Sequence, residues 1–220
     1  MSLIPRKPRP LTRDTSGFRD DRLFIVACDD TFAPKQYFNF FRIPRIQIYV
    51  VVTPDGSSAA EHVLGRLLEI ENEEDDERWM LLDVDHYCKG HHLQSLTRAM
   101  AKARQHGVNI AFSRPCFELW LLLHHVEESA VAQLGSARDV EQALRSILGE
   151  YNKTHLKGEH YPLESVPDAC IRAERLDNAV GGGEIPNANT SRVYRIWKSV
   201  TRKALPSQLP DAIHRILGPS

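Results

Sequence analysis

The sequence predicts an α/β fold, with a parallel sheet of about four strands flanked by helices and followed by a helical C-terminal extension. Short apolar segments of strand length alternate with segments of helical periodicity over the first half of the chain. This alternation is typical of parallel sheets whose connecting helices cover both faces. After about residue 126 only helical patterns remain, which predicts the extension.

The composition is that of an ordinary globular protein. The chain has 220 residues, of which 42% are hydrophobic and 26% are charged, so it can bury a sizeable core. Its formal net charge of −1 excludes a basic field over the whole surface. Contact with a nucleic acid would therefore depend on a local patch.

The N-terminus and the cysteines indicate a cytoplasmic location. Residues 1–21 are rich in Pro and Arg, without an apolar segment, which predicts an extended basic arm rather than a signal peptide. No apolar run reaches the ~20 residues that a bilayer span needs, so no membrane association is expected. The 4 cysteines are dispersed along the chain, which indicates reduced thiols rather than a disulfide framework.

The first two strands are predicted at 23–28 and 46–52. The first runs into Asp29 and Asp30, and Pro34 then suits the first turn of a helix. The second is closed by the turn signal of residues 54–56. Ser57 or Ser58 can cap the helix that follows.

Two further strands complete the predicted sheet. Residues 79–82 form a buried strand that leads into Asp83 and Asp85, and residues 109–112 form the fourth strand after a helix at 91–105. A nearly all-apolar helix is predicted from Pro115 to Leu123.

The C-terminal part contains three predicted helices, which open at Ser136, at Asp168 and after Thr190. The chain is thus divided into a basic arm (1–21), an α/β domain (22–126) and a helical extension packed on that domain (127–220).

Carboxylates follow three of the predicted elements. Asp83 and Asp85 stand at i and i+2, so on a strand both would point to one side and could share Mg²⁺ or Mn²⁺. A solvated Asp-rich turn is the alternative. Asp29 ends the first strand, and ligands bind at the carboxyl ends of parallel strands.

Glu118 is a single acid inside the apolar helix, where an unpaired charge is costly. It either forms a structural ion pair with Arg114 or belongs to the acidic site. With one or two divalent ions bound, this acidic edge of the sheet, at the carboxyl ends of the strands, could polarise a phosphodiester and activate water.

Four segments resemble a known family. They are Ile25-Val26-Ala27-Cys28-Asp29 with Tyr37-Phe38, then Leu82-Asp83-Val84-Asp85, then the block from Ile110 to His124, and last Thr190 to Trp197. On these segments the sequence resembles the RloB-like proteins, which belong to the wider Toprim group of primases, topoisomerases and phage-defence nucleases. The resemblance extends from Leu23 to about Arg202.

The resemblance implies a Toprim-like fold and a Mg²⁺-dependent nuclease site of an anti-phage defence module. It implies Asp83 and Asp85 as metal ligands, and Asp29 as general acid or base or third ligand. Asp29 and Asp30 stand where the family pattern has Glu-Gly, which withdraws the carboxylate by about one bond; a displacement on the order of 1 Å can cost ~100-fold in rate. Tyr87 occupies the place of a third acid, which Glu118 could replace. The resemblance also implies an ATPase partner of the SMC/ABC type.

The remaining candidates surround this site. Arg114 and Lys89 are candidate phosphate contacts, and Asp30, His86 and His124 are expected around the acids. Cys88, His91 and His92 offer a weaker zinc alternative, since no second pair of ligands has suitable spacing. The alternatives to a nuclease are a degenerate module that binds an ATPase or nucleic acid without cleaving, and phosphoryl chemistry on a small nucleotide.

Overall fold

Five strands form one sheet in the computed structural model, which describes residues 22–30, 32–53, 58–87, 92–181 and 183–217. The strands are β1 (Arg22–Cys28), β2 (Ile46–Val51), β3 (Glu77–Asp83), β4 (Asn109–Arg114) and β5 (Thr190–Ser191). The predicted N-terminal arm, the turn at residues 54–56 and the positions of Cys88, Lys89 and His91 lie outside the described residues.

The order of the strands is β2-β1-β3-β4-β5, and the first four run parallel. The predicted α/β class and its four strands are therefore confirmed. β5 was not predicted. It pairs antiparallel to the end of β4 through Thr190 and Ser191, and two residues are too few to show a strand periodicity.

Ten α-helices lie among the described residues: α1 (Ala33–Asn39), α2 (Ala60–Leu68), α3 (Val84–Tyr87), α4 (His92–Gln105), α5 (Glu118–Leu122), α6 (Glu128–Val131), α7 (Ala137–Leu148), α8 (Val166–Ala179), α9 (Val193–Lys203) and α10 (Asp211–His214). No described helix has the length and apolar character needed to cross a membrane. The Ser136 hydroxyl caps α7 by accepting a hydrogen bond from the Asp139 amide at 3.3 Å, as predicted.

Four local predictions are wrong. The N-cap of α2 is Ala59, without a capping side chain, so Ser58 is not the predicted cap, and residue 57 lies outside the described residues. β3 ends at Asp83 and the chain turns at once into α3, so Asp85 is not on a strand and the i, i+2 argument does not apply to it. The apolar helix begins at Glu118 rather than Pro115, because the chain still bends and turns over residues 115–117. The helix predicted from Asp168 begins two residues earlier, at Val166.

Alternate residues of the strands face two separate apolar layers. Leu23, Ile25 and Ala27 of β1 pack towards α2 and α4. Phe24, Val26 and Cys28 face the other layer, to which α1, α5, α7, α8 and α9 contribute. The helices of the C-terminal part therefore share one hydrophobic core with the sheet.

Candidate active site

Asp29 and Asp83 meet at the carboxyl ends of β1 and β3. These strands are neighbours, and Cys28 is in register with Leu81, so Asp29 lies one residue short of the level of Asp83, the last residue of β3. The Asp29 carboxylate accepts a hydrogen bond from the backbone N–H of Asp83 at 3.1 Å. The sheet topology thus brings together two acids that are 54 positions apart in the chain.

Asp30 connects this edge to α1 and to the C-terminal part. One oxygen of its carboxylate accepts hydrogen bonds from the backbone N–H groups of Phe32, at 2.6 Å, and Ala33, at 3.0 Å. The other lies 3.6 Å from Nζ of Lys153. Asp30 thereby stabilises the start of α1 and holds a cation at the site.

Glu118 begins α5 and is only 3% exposed. Its carboxylate accepts a hydrogen bond from the Tyr151 hydroxyl at 2.9 Å. Arg114, the alternative partner considered from the sequence, lies 3.6 Å from the Asp85 carboxylate and donates to the carbonyl of Pro186 at 3.0 Å. Glu118 therefore has a neutral partner in place of the predicted cationic one.

Asp85 stands apart from the buried acids. Its side chain is 42% exposed, and its contact is the ion pair with Arg114. It is absent from the residues that line the acidic pocket described below. The predicted roles of Asp85 as a metal ligand and of Arg114 as a phosphate contact stay predictions, and Lys89 is outside the described residues.

Burial and neighbouring like charges raise the pKa values of the acids at this site. Burial raises the pKa of Asp83, and the charges of Asp29, Glu118 and Asp30 raise it further. Burial also raises the pKa of Asp29 and of Glu118. Each of these carboxylates is therefore harder to ionise than a free one, and a nearby cation would reverse that effect.

A pocket of about 310 Å³ opens over these groups, and its walls are Asp29, Asp30, Phe32, Ser58, Asp83, His86 and Lys153. His86 lies in the pocket as predicted from its position, with Nε2 2.6 Å from the Ser58 hydroxyl. Burial lowers its pKa, which favours the neutral imidazole. The pocket thus combines carboxylates with one ammonium group and one neutral histidine.

His124 lies elsewhere. Its Nε2 is 3.1 Å from the Tyr37 hydroxyl and its Nδ1 is 2.7 Å from the Ser165 hydroxyl. Its ring packs among Tyr37, Trp120 and Tyr161. Burial lowers the pKa of His124 to about 3, so it is a neutral part of the aromatic core.

Lys153 and Tyr151 are site residues that the sequence analysis did not identify. They lie on the segment after α7, more than 30 positions from the acids that they contact. Gln36 of α1 fixes this segment, because its side chain donates to the Lys153 carbonyl at 2.8 Å and accepts from the Leu156 amide at 2.8 Å.

The donor set fits a hard divalent ion. Among the described residues, no three or more His, Cys, Asp and Glu side chains form a ready metal cluster. Mg²⁺, however, keeps several of its waters and is commonly held by one or two carboxylates. Asp29 and Asp83 are the adjacent oxygen donors, and the raised pKa that burial gives each of them is what an added cation would relieve.

Comparison with known proteins gives a family but no close relative. Searches of curated proteins and of solved structures returned no match. A family model described as RloB-like protein matches residues 24–199, which include Asp29, Asp83 and Glu118. The chain therefore belongs to the family of RloB-like proteins.

Proposed function

We propose that this protein is a divalent-metal-dependent nuclease that hydrolyses phosphodiester bonds, in a Toprim-like active site at the carboxyl ends of β1 and β3. The observation that carries the proposal is the adjacency of Asp29 and Asp83, joined by the hydrogen bond of 3.1 Å. The family match and the raised pKa of both buried carboxylates support it.

Asp29 and Asp83 would hold Mg²⁺ or Mn²⁺, with Asp85 as the further ligand that the resemblance implies. The chemistry that such an ion supplies when bound is neutralisation of charge and polarisation of a phosphoryl oxygen. In the alternative in which Asp29 is not a ligand of the ion, the raised pKa that burial gives its carboxylate suits it to accept a proton from an attacking water. Lys153 would contact the phosphate and Glu118 would orient neighbouring groups.

The test is cleavage of plasmid DNA, single-stranded DNA and tRNA with Mn²⁺ or with EDTA. Asp83→Asn preserves the shape of the side chain and removes one charge from the crowded set. We expect it to reduce cleavage at least ~100-fold, because the divalent ion loses a carboxylate ligand and no longer positions the scissile phosphate. Glu69→Gln removes an exposed charge at the end of α2 and should leave the rate unchanged.

Thermal unfolding gives an independent measurement. Mn²⁺ should raise the Tm of the wild type and of Glu69→Gln, but not that of Asp83→Asn. Without metal, Asp83→Asn should unfold at the same or a slightly higher temperature, because like-charge repulsion is relieved. Equal cleavage by the wild type and Asp83→Asn, or cleavage that persists in EDTA, would contradict the proposal.

The degenerate binding module is a second candidate with its own support. Both acids after β1 have structural partners, since Asp30 caps α1 and Asp29 accepts from the Asp83 amide. This candidate predicts nucleic-acid binding without cleavage in any metal.

The further parts of the proposal are a role in anti-phage defence and an SMC/ABC-type ATPase partner. They rest on the family relationship alone. Repeating the cleavage assay with an ATPase encoded beside this chain, with and without ATP, tests the partner. A rate that does not change with the ATPase would remove it from the proposal.

A further inference from the structure

A groove of about 610 Å³ runs between α1 and the edge strand β2, on the side of the sheet away from β3. Its walls are formed largely by apolar residues of these two elements and the turn between them. Among the described residues, it is lined by two cations, Lys35 and Arg42, and by no carboxylate. Both side chains are exposed.

A second, smaller cavity of about 150 Å³ continues this surface at the start of β2. Its described lining includes Arg22, Arg45 and Lys203 and contains no carboxylate. The two cavities adjoin, because Arg22 is in register with Ile46, which lines the larger groove, and Arg45 precedes it. We call the two cavities together the cationic groove.

Four of the five cations of this groove differ from most others on the surface, whereas Lys203 forms an ion pair of 3.2 Å with Glu77. Within the described part of the chain, the side chains of Lys35, Arg42, Arg45 and Arg22 contact no carboxylate. Cations on other surfaces have acidic partners, as in the pairs Arg98–Glu61, Arg104–Glu184, Arg145–Glu141, Arg172–Glu127, Arg175–Glu128 and Arg215–Asp168. A cluster of unpaired cations in a protein with net charge −1 is a local site for a polyanion.

The groove leads to the acidic pocket. α1 begins where Asp30 caps it, so Lys35 in its first turn lies at the end of the groove nearest the acids. Arg42 follows the end of α1 and lies towards the turn that leads into β2. Arg45 and Arg22 lie at the opposite end of β2, about 20 Å from its carboxyl end.

Exposed aromatic side chains lie along the same course. Tyr49 of β2 is 48% exposed and lies at the open edge of the groove, on the face of the sheet that its register partner Ile25 occupies, and Phe32 is 43% exposed and lines the acidic pocket. Aromatic rings beside a cationic track are the usual binding surface for unstacked bases. Paired bases in a duplex could not reach such rings. A second copy of this chain is a poor occupant, because it would place the same unpaired cations against one another.

We propose that the cationic groove is the path along which a single-stranded nucleic acid reaches the acidic pocket, with Lys35, Arg42, Arg45 and Arg22 contacting phosphates and Tyr49 stacking on a base. This proposal rests on the proposed function, because the groove would bring the substrate to the nuclease site. Binding of a single strand measured without metal tests the path separately from the cleavage activity.

The first test is fluorescence anisotropy of labelled single-stranded dT20 and rU20 in EDTA, over a range of salt concentrations. The double variant Lys35→Gln/Arg42→Gln should weaken binding about 10-fold and lower the slope of log Kd against log salt by about 1.4, because two phosphate contacts are lost. The control Lys102→Gln/Arg138→Gln removes the same charge from exposed positions on α4 and α7, and should change Kd less than about 2-fold.

The second test concerns the aromatic side chain. Tyr49→Ala should weaken binding about 10-fold with an unchanged salt slope, and Tyr49→Phe should bind as the wild type does, because stacking needs the ring and not the hydroxyl. A duplex of the same length should bind more weakly than the single strand.

The outcomes separate the path from the nuclease. If Lys35→Gln/Arg42→Gln binds as tightly as the control variant, or if the wild type does not bind single strands, the path is wrong. A protein partner would then be the occupant to test next. If the groove variant loses binding while the wild type cleaves nothing with Mn²⁺, the path stands and the nuclease does not. If the wild type cleaves and the groove variant binds and cleaves equally well, the nuclease stands and the path does not.

Discussion

Individual residues of the site are held by contacts with separate segments of the chain. Asp29 accepts from the Asp83 backbone, Asp30 caps α1 and lies beside Lys153, and Glu118 accepts from Tyr151. Like-charged carboxylates cost free energy in the folded state when they ionise, so they are tolerated here by partial protonation or by a bound cation. Their number and burial are the strongest residue-scale argument for a functional site.

A residue outside that site provides a pH test. Burial lowers the pKa of His124 to about 3, whereas an unfolded histidine titrates near ~6.5. Between these values the unfolded state binds the proton, so this side chain makes the free energy of unfolding decrease as pH falls below ~6.5, by up to about 1.4 kcal/mol per pH unit. His124→Gln, which retains a donor and an acceptor for Ser165 and Tyr37, should remove this contribution.

The measurement is urea unfolding followed by circular dichroism between pH 7 and pH 4. The buried carboxylates have the opposite sign, since the pKa that burial raises makes the folded state bind protons. They are common to both proteins, so the difference between wild type and variant isolates His124. Parallel stability curves would show that His124 does not titrate as described.

At the scale of elements, α1 organises both the acidic pocket and the cationic groove. Asp30 fixes its first turn, and its Gln36 side chain fixes the segment that carries Tyr151 and Lys153. The helix thereby places residues from the C-terminal part against the carboxyl end of β1. Lys35 on the same helix lies in the groove.

Gln36→Ala should loosen that segment without unfolding the chain. It removes two hydrogen bonds to the segment, and we expect a loss of about 1–2 kcal/mol in the free energy of unfolding. The local signature is faster hydrogen exchange at the Leu156 amide, whose acceptor is the Gln36 side chain. Asn39→Ala, which removes an exposed amide from the same helix, is the control. Unchanged exchange at Leu156 in Gln36→Ala would be evidence against this bridge.

At the scale of the whole molecule, one apolar layer joins the two parts that the sequence suggested. Trp197 of α9 is fully buried and its ring lies 4.9 Å from that of Phe41. Arg192, 2% exposed, forms an ion pair of 2.9 Å with Asp177 of α8 and directly precedes α9. The backbone N–H of Arg192 donates to the Phe112 carbonyl of β4 at 2.7 Å, which ties the C-terminal helices to the sheet.

Residues 22–126 should therefore not fold alone. Without the helices after residue 126, the apolar face that contains Phe24, Val26 and Trp120 would be exposed to water. We expect this fragment to lack near-ultraviolet circular dichroism and to aggregate. The full chain should unfold in one transition, coincident by tryptophan fluorescence and far-ultraviolet circular dichroism. A cooperative thermal transition of the fragment would overturn this expectation.

Much of the fold was predictable because it depends on local patterns. The buried strands are short apolar runs, and the Ser136 cap depends on residues three apart. The family resemblance was also confirmed from the sequence. The boundary errors at Asp85, Pro115 and Val166 arose where strand or helix preference competes with the path of the chain between elements.

The sequence by itself determined the α/β class, the four parallel strands and the acids at their carboxyl ends, because these follow from periodicity and from the rule that parallel strands end at one edge. Only the tertiary structure decided that Asp85 lies apart from the buried acids, that Tyr151 and Lys153 join the site, and that unpaired cations line one groove. The physical reason is that these contacts join residues far apart in the chain, whose meeting depends on how the shared core packs and leaves no local pattern in the sequence.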